Sequence, residues 1–145
     1  MPRPLPAIAL VLILSGCLAA DDPADAPRAC PVIESGDWTA FVNAMPGPDA
    51  RPQLIVSGSV SLPSAGYTVE LLPGPTDRSA VPVQTVILQA TPPDGPAATV
   101  VTLAEVRLSL PALDAAPGAP SPYSGVRVLC GDRELAFISP IETAW

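Results

Sequence analysis

The sequence predicts an all-β domain: a single antiparallel β-sandwich of six or seven strands, with one short helix near its N-terminal end. Two observations carry this. From Gln53 onward, apolar and polar residues alternate with a period of two in runs rich in β-branched residues, as half-buried strands require. Each run is bounded by a cluster of Pro, Gly, Asp or Ser, and the 21 prolines suit loops and edge strands, where a missing N–H is tolerated.

The helix is expected over Asp37–Ala44, with Asp37 as N-cap, because Trp38, Phe41 and Val42 fall at i, i+3 and i+4 on one face. Pro46-Gly47-Pro48 ends it. Gln53–Leu62 then sets Leu54, Val56, Gly58, Val60 and Leu62 on one side and Ser57, Ser59 and Ser61 on the other. Further strands are expected over Tyr67–Leu72, Val81–Ala90, Ala98–Leu110, Tyr123–Cys130 and Glu134–Ser139, with Pro31–Glu34 as the seventh. The turns between them are Pro63-Ser64-Ala65-Gly66, Pro73-Gly74-Pro75, Pro92–Pro96, Pro117–Pro122 and the tight pair Gly131-Asp132. Such a sandwich is immunoglobulin-like in architecture only. The buried Trp midway between two core cysteines is missing, since Trp38 follows Cys30 closely and Trp145 lies beyond Cys130.

Ahead of the domain, an apolar run from Leu5 to Leu14 leads into Leu14-Ser15-Gly16-Cys17. About ten apolar residues are too few to cross roughly 30 Å of hydrocarbon, and better fit the central part of an export signal. The tetrapeptide resembles the lipobox of bacterial lipoproteins. That resemblance implies a signal peptide at 1–16, a diacylated and N-acylated Cys17 as the first mature residue, and lipid-bilayer attachment through its acyl chains. Each buried methylene contributes about 0.8 kcal/mol, so two or more chains hold firmly. Leu18, where Asp favours inner-membrane retention in such proteins, points to the outer membrane facing the periplasm. The competing reading is a secretory peptide cut after Ala19 or Ala20, which yields a soluble exported β domain. Residues 17–29 are small, acidic and proline-bearing, hence a linker, and 30–145 form the domain. Asp21, Asp22 and Asp25 lack the Gly-hinged loop and distant bidentate Glu of a calcium site.

With Cys17 assigned to lipid, Cys30 and Cys130 remain as an even pair in an oxidising compartment and are expected to form a disulfide, two free buried thiols being the alternative. The net charge of −7, with no lysine among the seven basic residues, argues against nucleic acid and anionic lipid head groups. With neither His nor Lys, the chain has no Ser-His-Asp triad, Cys-His pair, Ser-Lys dyad, Schiff base or imidazole-bound zinc. Only carboxylate chemistry is left, with few aromatic platforms for a sugar, and no glycine-rich phosphate loop opens a helix. The expectation is a non-enzyme without metal or small-molecule cofactor.

Leu62-Pro63-Ser64-Ala65-Gly66-Tyr67-Thr68-Val69-Glu70 resembles the Pro-Thr-Gly-Gly-Tyr turn of small envelope β domains related to the C-terminal domain of a protease-complex-associated polypeptide. Ser64 and Ala65 stand where that pattern has Thr and Gly. Physically the segment is a tight hairpin in which Gly66 takes positive φ and Tyr67 starts a strand, packing inward or offering a partner contact. Asp37–Pro48, this turn and Cys130 together resemble short bacterial envelope lipoproteins. The chain is therefore expected to be an envelope binding or assembly module. The alternative is a regulator or inhibitor of an envelope protease, reached through the Pro63–Tyr67 turn or by strand addition from an edge.

Overall fold

The computed structural model describes residues 29–48, 50–113 and 119–145. Eight strands follow one another: β1 (Glu34–Asn43), β2 (Gln53–Leu62), β3 (Thr68–Thr76), β4 (Val83–Thr91), β5 (Thr102–Pro111), β6 (Gly125–Cys130), β7 (Arg133–Ile138) and β8 (Glu142–Ala144). They form two four-stranded sheets, ordered β5-β2-β1-β8 and β3-β4-β6-β7. Inward side chains of both sheets meet in one core, including Val42, Leu54, Val56 and Val60 from the first and Leu71, Val86, Val126 and Val128 from the second. The arrangement is sandwich-like.

The expected helix at Asp37–Ala44 is absent; Asp37–Asn43 belong to β1, which pairs antiparallel with β2. Eight residues are marginal for a helix, and pairing along the whole of β2 satisfies more backbone groups. Trp38, Ala40 and Val42 take the inward positions, so a period of two was present beside the helical spacing. Asp37 is not an N-cap. It sits at a β-bulge between Gly36 and Thr39 with φ of 55°, a conformation that Asp tolerates better than most residues. Ser59 Oγ donates to both Gly36 O and Asp37 Oδ2, at 3.2 Å each, and so ties the bulge to β2.

The sheets are mixed rather than purely antiparallel, because β4 pairs parallel with β6 and β1 pairs parallel with β8. The cause in the first case is the route of the chain. β5 is laid in the other sheet between β4 and β6, so two reversals return the chain beside β4 in β4's own direction.

Pro73-Gly74-Pro75 is not a turn. β3 runs through it at the sheet edge, with a register shift between Pro73 and Thr76. Buried Gln84 of β4 repairs the break: its Nε2 donates to Gly74 O at 2.9 Å and Thr85 O at 2.7 Å, and its Oε1 accepts from Thr76 Oγ1 at 2.6 Å. In the loop that follows, Asp77 Oδ1 accepts from the Ser79 hydroxyl and the Ser79 and Val83 amides. These bonds, the Ser79 hydroxyl first, hold its carboxyl below the usual aspartate range. Pro31–Ile33 is a lead-in rather than a strand, although Ile33 N–H donates to Ser61 O at 2.8 Å. The eighth strand, β8, has only three residues, too few to show a period.

Candidate interaction site

Cys17, the segment 1–16 and the linker as far as residue 28 lie outside the described residues. The other residues singled out in the sequence fall at two separate places. Cys30 and Cys130 form a disulfide with Cα atoms 5.3 Å apart, which excludes the free-thiol alternative. Arg133 Nη2 donates to Val32 O at 2.7 Å, so the start of the domain is held to the β6–β7 hairpin by a covalent bond and a hydrogen bond. Gly131 in that hairpin has φ of 59°.

At the second place, Gly66 has φ of 87°, as the turn requires, and a Cβ there would stand 3.2 Å from Pro93 Cβ. Ala65 N–H donates to Ala98 O at 3.1 Å. The turn is thus fastened to the β4–β5 loop. Tyr67 is half-buried and packs on the core, which leaves little of its ring for a partner. Tyr67→Ala is expected to lower folding stability by about 2–3 kcal/mol, below the range for a fully buried aromatic, as read by urea denaturation. A change under about 0.5 kcal/mol, the usual limit for surface positions, would show a side chain free for binding instead.

Among the described residues, two surface depressions are larger than the rest. One, of about 650 Å³, lies on the outer face of the second sheet beside the disulfide, lined by Pro31, Pro75, Ile87, Leu129 and Cys130 among others. The other, of about 500 Å³, lies on the outer face of the first sheet and is polar, with Asp37, Ser57, Ser59, Glu105 and Arg107 around it. Ser57 Oγ is 2.9 Å from Thr39 Oγ1 in the floor beside it. Among the described residues, no group of three or more His, Cys, Asp or Glu side chains is placed to hold a metal ion.

The feature that sequence reasoning missed is the free side of β5. Its outward residues, Leu103, Glu105, Arg107 and Ser109, lie opposite Ser61, Ser59, Ser57 and Ile55 of β2. Leu103 is 67% exposed. Inward, Ala104, Leu108 and Leu110 are only partly buried, while the β2 residues they pair with, Val60, Val56 and Leu54, are fully enclosed. The core is therefore less covered along this rim than at β2. The alternation of Leu103, Glu105, Arg107 and Ser109 was readable, but its edge position was not. No protein-family model, curated protein or solved structure matches this chain.

Proposed function

We propose that the chain is an envelope lipoprotein whose all-β domain, immunoglobulin-like in broad architecture, acts without catalysis as a binding or assembly module. The observation that carries the reading is Leu14-Ser15-Gly16-Cys17 at the end of an apolar run, where lipid attachment requires a small-residue pair before cysteine. The Cys30–Cys130 disulfide supports it, since such bonds persist in oxidising compartments. Cys17 anchors the domain to a bilayer, at the outer membrane on the strength of Leu18, and the segment 17–29 spaces it from the surface. The partner is a protein reached by strand addition at an edge, in preference to the Pro63–Tyr67 turn, whose tyrosine is engaged with the core.

Cys17→Ala is expected to move the protein from the membrane fraction to the soluble envelope fraction and to abolish metabolic labelling by fatty acid, with the Cys30–Cys130 crosslink intact. Failure of the wild-type protein to take up label, with unchanged fractionation of the variant, would replace the anchor by a cleaved secretory peptide.

A further inference from the structure

We propose that β5 pairs antiparallel with β5 of a second copy of this chain, about a two-fold axis at Val106, joining the two first sheets into one.

The four sheet edges differ in how they are guarded. β3 carries Pro73 and Pro75, β7 has six residues and meets β6 across a register shift, and β8 has three residues. All three devices discourage pairing with another chain. β5 has ten residues with proline only at its last position, Pro111, and among the described residues no backbone group pairs with its free side. Its outward charges are one of each sign, two residues apart on the same face, and neither makes an ion pair among the described residues.

That spacing is self-complementary. In an antiparallel pairing centred on Val106, Glu105 of each copy lies opposite Arg107 of the other, giving two unlike-charge pairs on the outer face. Centring on Glu105 sets Glu against Glu, and centring on Arg107 sets Arg against Arg. Only the Val106 register opposes unlike charges. The same register sets Leu103 opposite Ser109 outside, and Ala104 opposite Leu108 inside. It thereby covers the exposed Leu103 and the partly buried Ala104, Leu108 and Leu110. The small-with-large match at Ala104 and Leu108 lets the two inner faces continue without a clash. A second copy is favoured over an unrelated strand because both the charge pattern and the size pattern are self-complementary about Val106. The pairing does not depend on the lipid anchor, and its test reads contacts of the domain rather than membrane attachment.

The test uses the full chain in cells, with two differently tagged copies and a photoreactive phenylalanine introduced at Ser109. Irradiation is expected to give a mixed-tag dimer whose crosslinked peptide contains Leu103. Charge reversal at one position, R107E or E105R, sets like charges opposite each other twice and should lower the dimer yield at least about tenfold. The double variant E105R/R107E restores unlike pairs and should bring the yield back to near the wild-type level. Because the double variant carries both substitutions, its recovery separates a lost pairing from a damaged fold. Equal yields in all four proteins, a double variant no better than the singles, or capture of a different protein in place of the dimer would each overturn the proposal.

Discussion

A chain carrying both Cys30→Ala and Cys130→Ala is expected to lose about 4 kcal/mol of folding stability, close to the figure of about 4.7 that chain entropy gives for a loop of this size. The bond spans a sequence separation of 100 residues, so it constrains most of the domain in the unfolded state. It also acts locally. Cys130 is 2% exposed and belongs to the core, so alanine there leaves a space as well as an opened loop. Guanidinium denaturation of the double variant beside the reduced wild type separates these terms, since reduction opens the loop without removing the sulfur atoms. A loss below about 1 kcal/mol, within the net worth of one or two hydrogen bonds, would mean that the Arg133–Val32 and Ile33–Ser61 bonds already hold the start of the domain.

The second large effect is expected at Gly58, in the middle of β2. It faces inward between Val56 and Val60, and the indole of Trp38 from β1 occupies the place of its missing side chain. A Cβ there would lie 2.3 Å from Trp38 Cε3, 2.4 Å from Cδ2 and 2.7 Å from Cζ3, distances far inside non-bonded carbon contact. Gly58→Ala must therefore displace the ring, at about 3 kcal/mol, the upper part of the range for overpacking. Trp38→Ala should cost at least as much by emptying the same space. Gly58→Ala with Trp38→Leu should cost less than the sum of the single changes, because the smaller side chain relieves the clash. Thermal melts of the wild type, Gly58→Ala, Trp38→Leu and the double variant measure this. Strict additivity would show that the ring leaves Gly58 without consequence.

The parts of this fold legible in the sequence are those set by a period and its punctuation. β2 lies at Gln53–Leu62 as its alternation of Leu54, Val56, Val60 and Leu62 requires, and Gly131-Asp132 makes the expected tight connection. Where two periods coexist, as in Trp38, Phe41 and Val42 against Trp38, Ala40 and Val42, only the partner strand decides, and β2 is that partner. Proline misled at Pro73-Gly74-Pro75 for a related reason. It breaks a central strand but not an edge, and edge position depends on strand order. The same dependence hid the candidate interaction site. Glu105 and Arg107 look like any solvated face until β5 is known to be outermost, with nothing described on its free side.

The disulfide has a mechanical consequence. A pull on the chain ahead of Ala29 reaches the domain at Cys30, before any strand begins. From there the covalent bridge leads it into the end of β6, an interior strand hydrogen-bonded to β4 on one side and β7 on the other. The load is thus spread across two ladders in the second sheet. β1, which follows Cys30 in the chain and would otherwise be peeled from β2 one bond at a time, lies off the line of force.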